Sequence, residues 1–377
     1  MIYVDVSAAV HRRAGLGRYA ESLTRALVKQ AGCAGQTYAL FCNRERGIVP
    51  LAGLEHLPRS AVALGYKPWR MLVWVGQLAH LGFDRLVPRA TLFHATEHLL
   101  LPLRSVPTVL TVHDLIFRHL PEHHKALNRA YLNLTLPLYC RRATHVIAIS
   151  ECTRRDLLSA YDLPPEKVTV IHEAADPRFR PQAPDRVTAV RERYGLPERY
   201  ILFVGTIEPR KNLTRLLHAF EALHADGLCD ALVIVGKRGW LYGDFFAELE
   251  RSSVRDAVLY PGYVPDESLP AIYAGARILA FPSLYEGFGL PALEAMACGT
   301  PVACSGTSAL PEVVGDAALT FDPTSQDAII EALRQLLRDA DLRGELVQRG
   351  FERAARFSWD RVAAETQAVY DAVIDAG

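Results

Sequence analysis

Short apolar runs alternate with longer stretches of helical periodicity in the first part of the chain. The runs are apolar at consecutive positions, which is typical of strands that are buried on both faces of a parallel sheet covered by helices. A helix is predicted over residues 19–29, between the first two strands. The predicted strands are YVDV (3–6), TYALFC (37–42), ATLFHA (90–95), TVLTVHD (108–114) and HVIAIS (145–150).

Prolines interrupt this alternation between residues 161 and 200 and predict a domain linker there. They stand at 164, 165, 177, 181 and 184 and are expected to interrupt every helix in the stretch. The alternation then restarts, and helical periodicity follows from Ser325, with a final helix that begins at Ser358. The second set of predicted strands is YILFVG (200–205), ALVIVG (231–236), AVLYPG (257–262), RILAFPS (277–283), PVACS (301–305) and ALTFD (318–322).

Two α/β domains and a closing helix are therefore predicted, over residues 1–178, 179–357 and 358–377. A chain of 377 residues that is 50% hydrophobic exceeds what one core normally holds. We expect two doubly wound domains that face each other across a cleft. Ligands of such sheets bind outside the carboxyl ends of the strands, so functional residues are sought directly after predicted strands.

Charge and cysteine content limit the partners and the compartment that we expect. Forty-two basic and 42 acidic residues balance, so no global field attracts nucleic acid, and none is expected as a partner. Seven cysteines lack a disulfide or zinc spacing, which favours a reducing compartment. The N-terminus MIYVDVSAAV resembles a buried strand more than a signal peptide. We expect a cytoplasmic protein.

One segment of the first half has a composition that suits a membrane surface. Its uncharged run 71–83 is too short to cross a bilayer, which needs about 20 apolar residues. Tryptophan and basic residues accompany the run between positions 67 and 89, as in helices that lie on a membrane. A partly buried helix with a solvated basic rim would have the same composition, and both interpretations stay open.

The first candidate motif is HRRAGLGRYAESL (11–23), which we interpret as a glycine-containing loop between the first strand and the first helix. Gly15 and Gly17 would let backbone amides approach a phosphate or a sugar, next to the positive end of that helix. The spacing is not G-x-G-x-x-G, and a tight strand-to-helix turn explains the glycines equally well.

The second candidate motif is VGTIEPRKNL (204–213), at the end of a predicted strand. Arg210 and Lys211 stand before Asn212, a predicted N-cap. Two cations at a strand end suit a diphosphate, with arginine as a fork and lysine as a point charge. An ordinary solvated loop is the alternative.

The third candidate motif is PSLYEGFGLPALEAMACGTPV (282–302). Glu286 follows a predicted strand, and Pro291 and Gly299 predict a helix over 291–298. Backbone N–H groups around residues 288–290 would point at an anion at the helix start. Glu294 lies one turn further on, where its carboxylate would accept hydrogen bonds from vicinal hydroxyls of a ribose or a hexose.

This third motif resembles the E-x7-E signature of the family-4 retaining glycosyltransferases, which have the GT-B fold. The resemblance extends over most of the second half of the chain, through GTIEPRKN (205–212), GKRGWLY (236–242), SALPEV (308–313) and GDAAL (315–319). The first half is similar more loosely, through GLGRY (15–19) and TVHDL (111–115). The helix after Ser358 resembles the family's closing helix, which crosses back to the N-terminal domain. The N-terminal domain would then bind the acceptor, and the C-terminal domain a nucleotide sugar.

The resemblance implies a role for each candidate residue. Glu294 would hold the ribose, and Glu286, with amides near Phe288 and Gly289, the donor hexose. His113, at the end of its strand, would face that hexose, although a core or capping histidine is the alternative. The predicted catalytic residues are Glu286, His113, Arg210 and Lys211, and the predicted donor-binding residues are Gly15, Gly17, Phe288, Gly289, Leu290 and Glu294.

Arg210 and Lys211, helped by amides near Leu290, would neutralise the donor diphosphate. Many family members carry an arginine where this chain has Thr206, so the diphosphate would depend more on these two cations. No cofactor and no metal ligand are expected. Neither glutamate resembles a nucleophile, so we expect retention by attack on the same face, with the leaving phosphate oxygen taking the acceptor proton.

The motifs GTIEPRKN and GWLY resemble those of bacterial mannosyltransferases that use GDP-mannose, so we expect mannose transfer to a glycan or lipid-linked acceptor of a surface polysaccharide or exopolysaccharide. A UDP-sugar or deoxyhexose donor, a phosphorylase or a nucleotide-sugar epimerase on the same fold, and a sugar-nucleotide-binding scaffold remain alternatives. Contact of residues 67–89 with the inner face of the cytoplasmic membrane stays open beside the interpretation of that segment as a partly buried helix.

Overall fold

A computed structural model describes residues 1–32, 36–43 and 49–376 of the chain. These residues form two compact units. The first holds the described residues of 1–118, 126–173 and those from Ser358 onward, and the second holds 119–125 and 174–357. The grouping differs from the predicted boundaries in giving 119–125 and 174–178 to the second unit.

The first unit contains a parallel seven-stranded sheet in the order β3-β2-β1-β4-β5-β6-β7. Most of its strand positions are buried, which agrees with the predicted cover of helices. The strands are β1 (Ile2–Asp5), β2 (Tyr38–Asn43), β3 (Arg59–Val62), β4 (Leu92–Ala95), β5 (Thr108–Val112), β6 (His145–Ala148) and β7 (Val168–Val170). Its helices up to the linker are α1 (Ser7–Val10), α2 (Ala14–Ala31), α3 (Tyr66–Leu78), α4 (Ile116–His119), α5 (Ala126–Arg142) and α6 (Glu151–Tyr161).

The second unit contains a parallel six-stranded sheet in the order β10-β9-β8-β11-β12-β13. All six of its predicted strands are confirmed. They are β8 (Tyr200–Val204), β9 (Ala231–Val235), β10 (Val258–Gly262), β11 (Ile278–Phe281), β12 (Val302–Ser305) and β13 (Leu319–Phe321). Its helices are α7 (Pro184–Tyr194), α8 (Leu213–Ala225), α9 (Gly243–Arg251), α10 (Leu269–Gly275), α11 (Leu290–Cys298), α12 (Leu310–Val314), α13 (Gln326–Arg338) and α14 (Ala340–Ala354).

The last helix, α15 (Trp359–Asp375), packs on the first unit. Ser358 caps it by accepting a hydrogen bond from the backbone N–H of Arg361. Three buried polar side chains anchor the second half of α15. The Tyr370 hydroxyl lies 2.5 Å from Nδ1 of His94, and Nε2 of His94 lies 2.8 Å from the Thr111 hydroxyl. These bonds satisfy polar groups that would be costly to bury alone.

The expectation that prolines interrupt every helix between residues 161 and 200 was wrong. Helix α7 lies inside that stretch and begins at Pro184. A proline is well tolerated in the first turn of a helix, because the N–H group that it lacks has no helical partner at that position. Strand β7 also lies in the stretch and completes the first sheet.

None of the helices within the described residues is both long enough and apolar enough to span a bilayer.

Candidate nucleotide-sugar site

The candidate site lies where two neighbouring strands of the second sheet end. Strands β8 and β11 pair in parallel, so the loops that follow them emerge at the same edge. The loop after β8 contains a short 3₁₀ turn, Pro209–Lys211, and the loop after β11 carries Glu286. The backbone N–H of Leu284 donates to the Arg210 carbonyl over 2.8 Å and joins the two loops.

Three of the predicted catalytic side chains meet at this edge as a buried ion cluster. Arg210 Nη1 lies 2.8 Å from Oε2 of Glu286, and Lys211 Nζ donates to Oε1 of the same carboxylate. A fourth member, Glu208, lies 2.5 Å from Arg210 Nε. The cluster therefore holds two carboxylates and two cations. The charges of Arg210 and Lys211 are therefore already balanced by the two carboxylates before any diphosphate is present.

Burial and charge shift the pKa values inside the cluster. Burial alone would raise the pKa of Glu286, but Arg210 and Lys211 outweigh it and lower that pKa to about 2. Burial and the neighbouring Arg210 lower the pKa of Lys211, while the two glutamates oppose this shift. Glu286 is thus an ionised acceptor at neutral pH, able to receive hydrogen bonds from sugar hydroxyls.

Neighbouring groups hold the cluster in place. Arg210 Nη1 also donates to the Tyr285 carbonyl over 3.0 Å, and the backbone N–H of Glu286 donates to the Ser308 hydroxyl over 2.9 Å. The Tyr285 ring stacks on His119, with ring centroids 4.7 Å apart. No pattern in the sequence predicted these contacts, because Ser308 and His119 are distant from Glu286 along the chain.

Asn212 stands at the N-cap position of α8, as predicted, but its side chain does not cap the helix. Its side chain makes no capping bond, and its backbone is left-handed, with φ of 59°. Instead its amide donates to the carbonyls of Pro282 and Pro323 over 3.1 and 2.8 Å. The residue ties the turn after β8 to the loop after β11, which supports the position of Lys211 beside Glu286.

Helix α11 begins directly after this loop, as the sequence predicted. Pro291 lies in its first turn, and Gly299 follows its last residue in a left-handed conformation. Gly289 stands at the N-cap position with φ of 116°, and a Cβ there would lie 2.5 Å from Leu310. Phe288 is buried, with its ring 5.8 Å from that of Phe357. The amides around Leu290 are thereby fixed at the start of the helix.

Glu294 lies on the buried side of α11. Its side chain is 2% exposed, and its Oε2 accepts a hydrogen bond of 2.8 Å from the Tyr273 hydroxyl. A carboxylate has room for several hydrogen bonds, so this contact does not exclude a ribose. The ribose role stays a prediction.

His113 lies in the first unit, directly after β5, and its ring is buried. Nε2 lies 2.9 Å from the Thr96 carbonyl and Nδ1 lies 3.1 Å from Oε1 of Glu173. Both partners only accept hydrogen bonds, so a protonated ring satisfies both. Burial opposes that charge, but the bond to Glu173 and its negative charge raise the pKa of His113 above the usual value. These contacts are those of a structural histidine, and its role towards the donor sugar stays a prediction.

The raised pKa predicts a pH dependence of stability. Protonated His113 should stabilise the fold fully below the pKa of an unfolded histidine, about 6.5, and this contribution should be lost as the pH rises through the folded value. We expect Glu173→Gln to flatten that part of the stability curve. Urea unfolding of both proteins on either side of neutrality measures it, and equal pH slopes would contradict the assigned ion pair.

The prediction that Gly15 and Gly17 lie in a loop was wrong. Both belong to helix α2, which begins at Ala14. At position 17 the glycine serves close packing instead of a loop, because a Cβ on Gly17 would lie 2.8 Å from the backbone oxygen of Ala8 in α1. Gly17 thus allows two helices to approach each other. Binding of a donor by either glycine stays a prediction.

The two glycines form a matched pair for a stability test. Gly17→Ala should destabilise the protein by about 1–3 kcal/mol, because the backbone of α1 must move to admit a methyl group. Gly15→Ala should stabilise it by up to about 1 kcal/mol, because nothing lies within 4 Å of its Cβ position and alanine favours a helix. Chemical denaturation gives both values. Equal effects of the two changes would contradict the packing assigned to Gly17.

Among the residues that the structure describes, no three His, Cys, Asp or Glu side chains lie together as a metal site. A D-x-D spacing occurs at Asp339 and Asp341, where Asp339 caps α14 by accepting a bond of 2.8 Å from the Leu342 N–H.

Both halves of the chain match models of glycosyltransferase families. Residues 13–179 match "Glycosyltransferase Family 4", and residues 188–353 match "Glycosyl transferases group 1". The O-antigen chain mannosyltransferase B of Escherichia coli is 37% identical over 272 residues, which cover 72% of this chain and 71% of that protein. The chain belongs to glycosyltransferase family 4. The resemblance stated from the sequence is confirmed.

Other similarities define what this family 4 member shares with known proteins. The serotype-specific mannosyltransferase WbdA of Escherichia coli is 30% identical over 280 residues, which cover 70% of this chain and 33% of that longer protein. The structure of sucrose-phosphate synthase from Thermosynechococcus elongatus superposes with a TM-score of 0.82 at 21% identity, and the match covers 100% of this chain and 99% of that one. The predicted GT-B fold, with two Rossmann-like domains, is confirmed.

Proposed function

We propose that this glycosyltransferase moves mannose from GDP-mannose to a glycan or lipid-linked acceptor during assembly of a bacterial surface polysaccharide or exopolysaccharide. The observation that carries the proposal is the buried cluster of Glu286, Arg210 and Lys211 in a chain of this family. The choice of mannose is supported by two relatives that are mannosyltransferases, of which one is 37% identical. We infer that the enzyme works in the cytoplasm, since the spacing of its seven cysteines is that of neither a disulfide framework nor a zinc site.

The charge balance of the cluster suggests how a donor binds. Sugar hydroxyls would donate hydrogen bonds to the Glu286 carboxylate and partly neutralise its charge. Arg210 and Lys211 would then interact less strongly with Glu286 and could bind the diphosphate. Both side chains suit this purpose, because a guanidinium carries five donors and an ammonium three. The amides at the start of α11 would contribute the positive end of that helix.

Transfer would follow from stabilising the leaving diphosphate. As the bond between the anomeric carbon and the phosphate oxygen breaks, negative charge grows on that oxygen beside Arg210 and Lys211. The acceptor hydroxyl attacks from the same face, forms the new glycosidic bond and gives its proton to the departing phosphate oxygen. Glu286 would hold the sugar during this step, and the product would retain the donor's configuration. Cationic side chains take the place of a metal ion in this scheme.

A thermal-shift screen of nucleotide sugars tests the donor. A ligand that binds only the folded protein stabilises it by about 2.7 kcal/mol at a hundredfold excess over its Kd. GDP-mannose should raise Tm more than UDP-glucose, UDP-N-acetylglucosamine or a GDP-deoxyhexose at equal concentration. A shift with a UDP-sugar alone would reject the proposed donor. Turnover with phosphate as the sole acceptor would indicate a phosphorylase, and binding without turnover on any lipid-linked glycan would indicate a scaffold.

A further inference from the structure

Exposed apolar side chains are concentrated on one surface of the first unit. Nine large hydrophobic residues of the described chain are exposed, and seven of them lie on α3, directly after it, or on α5. Their exposed fractions range from 40 to 89%. We call this the α3–α5 surface, and its apolar members are Met71, Leu72, Val75, Leu78, Leu81, Leu127 and Leu134.

Helices α3 and α5 lie side by side, so these residues belong to one surface. Near the start of both helices, Arg70 donates to the Asn128 side chain over 3.3 Å and lies 3.7 Å from the centre of the Tyr131 ring. Near their ends, Arg142 donates to His80 over 2.9 Å. The contacts at both ends fix the two helices in the same direction.

Helix α3 is apolar on its inner and its outer side. Trp69, Val73 and Gly76 are buried against the unit, whereas Met71, Leu72 and Val75 are exposed. A surface helix normally presents polar residues to water, so an apolar outer side indicates that something else covers it.

The charges of the two helices indicate what kind of partner covers this surface. The chain as a whole is neutral, with 42 basic and 42 acidic residues. Helices α3 and α5 contain no aspartate or glutamate, and all of their ionisable charge is basic: Lys67, Arg70, Arg129, Arg141 and Arg142. Apolar side chains among basic ones are typical of helices that lie in the interface of an anionic membrane.

A basic pocket opens beside this surface. Its lining includes His80, Arg104 and Arg142. Arg104 Nε donates to the His80 carbonyl over 2.9 Å, which directs the guanidinium towards the pocket lining. The guanidiniums of Arg104 and Arg142, both held by His80, are planar cations that suit the phosphate of a lipid headgroup.

We propose that the α3–α5 surface docks this glycosyltransferase on an anionic phospholipid membrane, with its leucines in the headgroup boundary and the His80–Arg104–Arg142 pocket on a lipid phosphate. The sequence pointed only to the segment 67–89, whereas α5 and Arg104 are added by the structure. Docking does not depend on the donor, so it stands or falls separately from the proposed function.

Vesicle flotation of the full chain tests the docking. The protein should float with phosphatidylcholine vesicles that contain phosphatidylglycerol, not with phosphatidylcholine alone, and salt should weaken the binding. Val75→Asp with Leu78→Asp should reduce binding at least tenfold. Arg141→Gln with Arg142→Gln should reduce it about 25-fold, because each basic residue near such a surface contributes about fivefold.

Leu241→Asp is the matched control, since Leu241 is 53% exposed but lies outside this surface. It should leave flotation unchanged, and an unchanged Tm for every variant would exclude misfolding as the cause. Equal flotation of the wild type and the two double variants would overturn the proposal. The proposal would also be overturned if the protein bound no vesicles and instead formed a dimer that Val75→Asp with Leu78→Asp dissociates. A second copy of the chain would then cover the surface. Binding of inorganic phosphate by a protein that does not float with vesicles would also overturn the proposal.

Discussion

Glu286→Gln is expected to lower turnover with GDP-mannose about a hundredfold or more. The change keeps the size of the side chain but removes the charge that Arg210 and Lys211 share, and its amide N–H₂ group must face at least one cation. The donor sugar would lose its ionised acceptor, and the loss of one preorganised polar group in an active site typically costs two to three orders of magnitude in rate. Initial rates at saturating donor measure the effect.

A surface glutamate provides the control for this change. Glu345 pairs with Arg349 one helical turn away, and its side chain is 54% exposed. Glu345→Gln should leave turnover unchanged and alter the free energy of unfolding by no more than about 0.5 kcal/mol. Full turnover of Glu286→Gln would remove Glu286 from the proposed mechanism.

Lys211→Met should cause the largest loss of stability, about 3–5 kcal/mol. Lys211 is 5% exposed, and its removal leaves Glu286 buried with one cationic partner fewer. Lys29→Met is the control, because Lys29 pairs with Asp360 at the surface and such pairs contribute at most about 1 kcal/mol. Urea denaturation compares the two variants.

The double change Lys211→Met with Glu286→Gln tests whether the charges act as a pair. Removing the second charge relieves the cost of burying the first alone, so the double variant should lose less stability than the sum of the single ones. Losses that add to within about 0.5 kcal/mol would show that the two side chains are energetically independent.

The position of Glu286, Arg210 and Lys211 at the carboxyl ends of strands in the second sheet could be predicted from the sequence for a simple reason. Each residue follows an apolar run, and the carboxyl ends of neighbouring parallel strands share an edge. The sequence did not predict that β8 and β11 are neighbours, nor that Glu208 belongs to the cluster. Strand order and side-chain direction depend on the packing of the whole unit.

The glycines near the N-terminus show where local patterns mislead. Gly15 and Gly17 have the composition of a loop, yet they lie in the first turn of a helix, where Gly17 permits the close approach of α1. Pro184 likewise was expected to interrupt a helix and instead begins α7. In both cases a residue that disfavours the middle of a helix is tolerated in its first turn.

Transfer of labelled mannose to a mannose-terminated oligosaccharide on an aliphatic anchor is the most direct test of the central claim. Wild-type protein with GDP-mannose should release GDP and form an α-linked product, with the anomeric configuration read by NMR, while Glu286→Gln should form about a hundredfold less. A β-linked product would contradict retention. Transfer from a UDP-sugar but not from GDP-mannose would contradict the assignment of the enzyme as a mannosyltransferase.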